Sequence, residues 1–312
     1  MFTTLRLVLV AAFTTLAPVV AAAAIERVVE KSFAVNGSGR LHVETHGGGV
    51  RVETAGDSVV KVSARQIIRA STDREADDLL KKLELTLEQS GNDVRVVSRY
   101  ERRPGGFRFG SWPPVNVEFV VSVPASFSVD LRTSGGRIAV GDLQGAVVAR
   151  TSGGSIKIGT VGGNVEARTS GGSIAVAGAG GSVDLQTSGG NITTGRIAGP
   201  AKLGTSGGSI AIESAANVVT AHTSGGSITA NIAGPLWADC SLSTSGGNVR
   251  VTVGKSAAFR LDASASGGGV DASGLTVTME KSSRNHLAGT VNGGGPLLKL
   301  RTSGGGVVVR AN

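Results

Sequence analysis

Apolar residues alternate with polar or small residues in short runs along most of the chain. In the runs Ile156-Lys157-Ile158 and Val165-Glu166-Ala167, apolar side chains occupy every second position. Because successive side chains of a β-strand point to opposite faces, this alternation predicts strands with one buried face. The runs are separated by glycine-rich segments, which favours many short strands over a few long ones.

These runs belong to a tandem repeat. The tetrapeptide Thr-Ser-Gly-Gly recurs in steps of 18 residues, beginning at Thr133, Thr151, Thr169, Thr187, Thr205 and Thr223, and it returns at Thr244 and Thr302. A single repeat cannot bury its apolar face, whereas stacked repeats bury continuous ladders of side chains. The sequence therefore predicts an all-β fold, a single-chain β-solenoid with coils of about 18 residues. We expect Ser-Gly-Gly to form the corner of each coil, with its glycines at positive φ.

After residues 1–24, the chain divides into two parts that differ in regularity. Residues 25–130 predict N-terminal coils interrupted by one short helix near residues 71–82, which has a capping threonine and acids in its first turn. We expect this helix to cover the open end of the solenoid. Residues 131–312 predict the regular Thr-Ser-Gly-Gly solenoid, continuous with the first part. Within it, residues 273–292 depart from the repeat, and residues 279–286 are predicted to form a loop.

Residues 1–24 have the pattern of a secretory signal peptide. Arg6 is the one charged residue, an apolar stretch covers residues 7–20, and four alanines at 21–24 offer a cleavage site near Ala24. The alternative is an uncleaved membrane anchor, because the apolar stretch approaches the length that spans a bilayer. Cleavage predicts an exported protein, located in the periplasm or at the cell surface.

Composition agrees with a thin core. The 312 residues include 48 glycines but only 2 tryptophans and 1 tyrosine, so the interior must consist of small aliphatic side chains. The formal net charge is +8, which favours contact with polyanions such as anionic lipids or acidic glycans. A basic surface that only keeps the protein soluble is the alternative. The single Cys240 excludes an internal disulfide.

The order of these parts resembles a bacterial family of candidate adhesins. The resemblance lies in the helical insertion, the step Val123-Pro124-Ala125, the segment Leu131-Arg132-Thr133-Ser134-Gly135-Gly136 that opens the tandem coils, and the closing Thr302-Ser303-Gly304-Gly305. That family is a domain of unknown function in exported envelope proteins, expected to form a β-solenoid. The resemblance implies export and a non-enzymatic role, but it supplies no binding residues.

One segment combines arginines and aromatic residues in an otherwise aromatic-poor chain. The candidate ligand-binding residues in this predicted loop are Arg99, Arg102, Arg103, Phe107, Arg108, Phe109 and Trp112. Arginines beside aromatic rings suit sugar stacking and the recognition of anionic groups. The alternative is that the aromatic rings only seal the end of the solenoid.

Residues that could support catalysis are better explained as structural. Glu166 and Asp184 occupy equivalent outward positions in adjacent coils, as a glycosidase pair would, but Arg150 and Arg168 in the neighbouring column predict a charge-balanced ladder. Cys240 falls in an inward column and predicts a buried thiol. No pattern of histidines, cysteines or carboxylates predicts a metal or cofactor site.

The sequence therefore predicts a non-enzymatic, exported envelope module that presents a rigid basic surface to an anionic glycan, a lipid surface or an envelope protein, and that has no nucleic-acid partner. Two alternatives stay open. One is a polysaccharide-processing enzyme built on a β-helix, which is an analogy of fold alone. The other is a scaffold or sensor for envelope stress that acts through protein contacts.

Overall fold

The computed structural model describes residues 24–56, 58–101 and 113–312. The signal peptide predicted for residues 1–24 lies outside the described residues except for Ala24. In the described part, the strands form two sheets. Sheet 1 contains β1 (Ile25–Ala34), β3 (Val50–Ala55), β4 (Val59–Ile68), β7 (Val115–Pro124), β9 (Ile138–Val140), β11 (Ile156–Val161), β13 (Ile174–Ala179), β15 (Ile192–Ile197), β17 (Ile210–Ala215), β19 (Ile228–Ile232), β21 (Val249–Val253), β23 (Val270–Asp271) and β27 (Val307–Ala311). Sheet 2 contains β2 (Arg40–Thr45), β5 (Leu83–Ser90), β6 (Asp93–Tyr100), β8 (Ser128–Thr133), β10 (Val147–Arg150), β12 (Val165–Arg168), β14 (Val183–Gln186), β16 (Ala201–Thr205), β18 (Val219–Thr223), β20 (Cys240–Thr244), β22 (Phe259–Ala265), β24 (Val277–Ser283), β25 (His286–Val291) and β26 (Leu297–Thr302).

Each regular coil contributes one strand to sheet 2 and, after the Thr-Ser-Gly-Gly corner, one strand to sheet 1. Ile156 of β11 pairs in parallel register with Ile174 of β13, which pairs with Ile192 of β15. These three side chains are almost fully buried between the sheets. Burial of such a side chain contributes about 1.5–3 kcal/mol, so the stacked isoleucines hold the coils together. The predicted β-solenoid is confirmed.

The corners stack so closely that only glycine fits at their second glycine position. A Cβ atom built on Gly154 would lie 2.0 Å from the carbonyl oxygen of Gly136, one coil earlier. By contrast, a Cβ atom on Gly153 would find its nearest neighbour, the carbonyl oxygen of Gly135, at 3.6 Å. The expectation of positive φ at the corners is wrong, because the described glycines with positive φ all lie elsewhere, from Gly37 to Gly295. Close approach of stacked backbones is the reason for the glycine.

In chain order, the helix α1 (Asp73–Leu80) follows β4 of sheet 1 and precedes β5, the edge strand of sheet 2. It begins at Thr72, whose hydroxyl accepts a hydrogen bond from the backbone N–H of Glu75 at 3.2 Å. Ala76 is buried, and Leu79 and Leu80 pack against the core. The predicted helix is therefore confirmed, with its apolar residues packed on the core at the N-terminal end of the stack. No described helix is long and apolar enough to cross a membrane.

The spatial order of the coils differs from the chain order at both ends. At the N-terminal end, the coil of β6 and β7 stacks outside the coil of β2 and β3, although β6 and β7 come later in the sequence. At the C-terminal end, β26 inserts between β20 and β22, and β27 inserts between β21 and β23. The prediction of a loop over residues 279–286 is wrong, because β24 and β25 pair there as an antiparallel hairpin. Alternation is weak in β24, where most side chains are exposed, so the strand has no clear pattern.

Candidate functional site

A groove runs along the outer face of sheet 2, parallel to the stacking direction and beside the corners. Its volume is about 600 Å³. We call it the arginine groove; its walls come from Glu44, Thr45, His46, Arg132, Thr133, Ser134, Arg150, Thr151, Ser152, Arg168, Thr169, Ser170, Gln186, Thr187 and Ser188. The same positions of five successive strands thus build the groove. Three neighbouring strands present the same triplet Arg-Thr-Ser to the groove, while Glu44 and His46 line one end and Gln186 the other.

Strand alternation places the arginines of the groove outward. Ala149 and Ala167 are fully buried, so the next residues, Arg150 and Arg168, emerge on the solvent side. Parallel pairing aligns Arg132 with Arg150 and Arg150 with Arg168. Neighbouring strands lie about 4.8 Å apart, so the three arginines form a column with that backbone spacing.

Carboxylates of the adjacent column hold these arginines in place. Arg150 lies 2.6 Å from Glu166, while Arg168 contacts Glu166 and also lies 3.0 Å from Asp184. Glu166 and Asp184 are therefore part of a charge-balanced ladder, as the sequence predicts. A guanidinium has more N–H donors than these ion pairs use, so the arginines keep donors that face the groove.

The N-terminal part of the groove is balanced in the same way. Arg132 forms a bidentate pair with Asp130 of its own strand, at 3.1 and 2.9 Å. Burial by itself raises the pKa of Asp130, but the hydrogen bonds and positive charge of Arg132 outweigh it and hold the pKa below its ordinary value. Four guanidinium groups and four carboxylates form the ladder: Arg99, Arg132, Arg150 and Arg168 with Glu44, Asp130, Glu166 and Asp184. The groove is thus rich in hydrogen-bond donors without a large net charge.

The threonines and serines of the corners have different roles. Thr151 is buried, and its hydroxyl donates to the carbonyl oxygen of Gly136 at 3.0 Å and accepts from the N–H of Gly154 at 3.3 Å. Ser152 follows it at an exposed position. In the described part of the chain, the Ser152 hydroxyl has no side-chain hydrogen bond and faces solvent. The threonine is therefore a structural element, whereas the serines add free hydroxyls along the groove.

Of the predicted ligand-binding residues, the structure describes one. Arg99, near the end of β6, donates a hydrogen bond of 3.1 Å to the carboxylate of Glu44, at the N-terminal end of the arginine groove. The other six, namely Arg102, Arg103, Phe107, Arg108, Phe109 and Trp112, lie outside the described residues. From the sequence, Arg150 and Arg168 are predicted only as partners of acidic side chains, and the groove is not predicted. The recurrence of arginine directly before the threonine at Thr133, Thr151 and Thr169 is the signal that could have found it.

Other reactive groups have ordinary surroundings. Cys240 is buried in the inward column, as predicted, and burial raises the pKa of its thiol. His42 lies 3.5 Å from Asp130 on the outer face of sheet 2. Among the described residues, no group of three or more histidines, cysteines or carboxylates could hold a metal ion.

The fold and the repeated corner define the class of this protein as a parallel β-solenoid. Within that class, the chain belongs to the Toastrack family, DUF4097, whose family model matches residues 39–310. The function of this family is unknown. No curated protein matches the chain.

Several solved structures match most of the chain at low sequence identity. A candidate adhesin from Bacteroides fragilis is 10% identical, with 92% of this chain and 97% of that chain covered and a TM-score of 0.40. A candidate adhesin from Parabacteroides merdae is 10% identical, with 91% and 96% covered and a TM-score of 0.41. A candidate lipid-binding protein from Parabacteroides distasonis is 13% identical, with 90% and 96% covered and a TM-score of 0.42. The family assignment depends on the family model alone.

Proposed function

We propose that this protein is an exported, non-enzymatic adhesin-type module that binds a linear glycan along the arginine groove. The observation that carries the proposal is the in-register column of Arg132, Arg150 and Arg168 beside a row of corner serines. The signal peptide predicted at residues 1–24 supports the proposed export to the periplasm or the cell surface.

The periodicity of the groove favours an extended polymer over a small molecule. Equivalent donors recur at about 4.8 Å, so a chain of sugars that lies along the rod contacts the same groups repeatedly. Guanidinium and hydroxyl groups suit sugar hydroxyls and ring oxygens as partners. Because the ladder is charge-balanced, the groove itself does not require an acidic polymer.

The carboxylates of the groove argue against the alternative of a polysaccharide-processing enzyme. A glycosidase needs one protonated carboxyl group as its acid and a second carboxylate that is free to act. Glu166 contacts two arginines and Asp184 contacts one, so both carboxylates are occupied as structural partners of the arginines. They position Arg150 and Arg168 and leave the arginines to face the ligand.

Glycan arrays with the exported chain test the proposal. We expect binding to at least one linear glycan, with affinity that falls about tenfold in the double variant Arg150→Ala/Arg168→Ala, because several charge-assisted hydrogen bonds are lost. Lys157→Ala, on the outer face of sheet 1, is the matched control and keeps full affinity. Glycan binding that survives the double variant but disappears in Arg102→Ala/Arg103→Ala/Arg108→Ala would assign recognition to the predicted loop and overturn the groove.

A further inference from the structure

The outer face of sheet 2 changes character beyond the arginine groove. Along the column that contains Glu166 and Asp184, the next four strands carry Lys202, Thr220, Ser241 and Lys299 in register. Lys202 and Lys299 are exposed, and neither has an ion pair or side-chain hydrogen bond in the described part of the chain. Among the described residues, Lys202 and Lys299 therefore keep ammonium groups without an ion pair, although Asp184 and Asp262 lie in register on the strands that flank this stretch.

The parallel outward column adds further polar groups, and its one arginine, Arg301, is already paired with Asp262. It contains Gly204, His222, Ser243 and Arg301 in register, and His222 Nδ1 lies 2.9 Å from Ser243 Oγ. No heavy atom lies within 4 Å of a Cβ atom built on Gly204, so open space separates the end of the groove from His222. We call the eight residues of these two columns the lysine panel. It combines the hydroxyls of Thr220, Ser241 and Ser243 with the unpaired ammonium groups of Lys202 and Lys299.

An exposed tryptophan stands at the turn that leads into the panel. Trp237 is 71% exposed, in a chain with only 2 tryptophans. Trp237 lies in the turn from β19 to β20, on the side of the coil opposite the Thr-Ser-Gly-Gly corner. This turn is long, because Thr223 and Thr244 are separated by 21 residues instead of 18. Leu236 anchors the turn in the core, and the carboxylate of Asp239 accepts a hydrogen bond of 2.8 Å from the backbone N–H of Leu297 in β26. The indole is thus held exposed on a fixed backbone.

We propose that the lysine panel and Trp237 form a second binding site, which takes a glycan that bears carboxylates. An indole ring offers an apolar face on which a sugar ring stacks, while its N–H stays available to a polar partner. Lys202 and Lys299 are three strand steps apart, about 14 Å, and pair with separate carboxylates of one extended chain. A membrane surface fits less well, because interfacial binding requires a broad apolar face and Trp237 is the one exposed large apolar side chain of this turn among the described residues.

The inference rests on the proposed function for the glycan class, but it uses different residues. Its probes are oligogalacturonate, a linear carboxylate-bearing glycan, and the fully methyl-esterified oligomer, which has the same backbone without charge. Calorimetry or surface plasmon resonance measures the affinity of the exported chain for both. The variants are Lys202→Gln/Lys299→Gln and Trp237→Ala, with Lys157→Gln on sheet 1 as the matched charge control and a thermal melt to verify folding.

We expect the double lysine variant to bind oligogalacturonate about tenfold more weakly, because two charge-assisted contacts are lost, and to bind the methyl ester as the parent does. Trp237→Ala weakens both oligomers, because stacking does not depend on charge. Equal loss in Lys157→Gln, or unchanged affinity in the lysine variant, would overturn the site. So would binding to phosphatidylglycerol vesicles without binding to oligogalacturonate. Arg150→Ala/Arg168→Ala leaves the panel intact, so loss of binding in that variant alone assigns recognition to the groove and not to the panel.

Discussion

The hydroxyl of Thr151 lies 3.0 Å from the carbonyl oxygen of Gly136 in the preceding coil, and this contact recurs along the stack. Its equivalents join Thr169 to Gly154 at 2.8 Å and Thr187 to Gly172 at 2.7 Å. Each of these threonines is buried. A half-buried carbonyl oxygen at a tight corner needs a donor, and the threonine side chain supplies one where the ladder of strand hydrogen bonds ends.

Replacement of Thr151 by valine should therefore destabilise the solenoid. The change keeps the shape but leaves the carbonyl of Gly136 and the N–H of Gly154 without their partner, at a cost of about 1–3 kcal/mol. Urea denaturation followed by circular dichroism measures the loss. Ser152→Ala, at the exposed neighbouring position, is the control and should stay near the parent stability. Equal stability of Thr151→Val and the parent would show that the hydroxyl ladder is dispensable.

The two glycines of one corner should respond differently to alanine. Gly154→Ala places a methyl group 2.0 Å from the carbonyl oxygen of Gly136, so the coils must separate locally. We expect a loss of several kcal/mol or an insoluble protein, since overpacking against backbone cannot relax by a rotamer change. Gly153→Ala meets its nearest atom at 3.6 Å and should fold normally. A soluble Gly154→Ala protein with the parent melting curve would contradict the stacking geometry.

Glu166 separates the binding and enzymatic interpretations of the groove. Glu166→Gln removes the ion pairs to Arg150 and Arg168. Because these side chains are partly exposed, the expected change in stability is only about 0–1 kcal/mol. Glycan affinity should stay within a few-fold of the parent, since the arginines keep their donors. Any glycan hydrolysis by the parent, measured as new reducing ends and abolished in Glu166→Gln, would restore the enzymatic alternative.

The free energy of unfolding should decrease in acid, because Asp262 becomes protonated and loses its partners. Hydrogen bonds from Arg301 lower the pKa of Asp262, burial opposes this, and a hydrogen bond with His286 at 3.0 Å lowers it further. A carboxylate with a lowered pKa in the folded state stabilises the fold above its unfolded pKa of about 3.9, and this contribution disappears as the pH falls through the lower folded value. Thermal melts of the parent and of Asp262→Asn between pH 7 and pH 2 measure the effect. The variant should lose less stability on acidification below about pH 4 than the parent; parallel curves would exclude a contribution from Asp262.

The sequence predicts the solenoid well because its signals are local and repeated. Ile156, Ile174 and Ile192 occupy equivalent positions, so their register follows from the 18-residue step alone. The cap at Thr72 is a local signal of the same kind, and the helix is found where it predicts one.

Features that depend on neighbours in the stack are not predicted. The glycine at position 154 is required by the backbone of Gly136, which no local pattern encodes, so the expected positive φ is wrong. The inverted coil order at the two ends depends on long-range pairing of β7 with β3 and of β26 with β20. The arginine groove exists only where side chains from separate coils lie side by side. Its residues are distant from one another in the sequence, so no local pattern shows that they form one site.

Insertion of β26 and β27 inside the stack affects how the molecule resists tension. Strand β27, which ends at Ala311, is hydrogen-bonded to β21 on one side and to β23 on the other. A force that pulls on β27 thus acts on two neighbouring strands at once. A module that holds a polymer under flow gains mechanical endurance from this arrangement, which a chain wound in plain sequential order would lack.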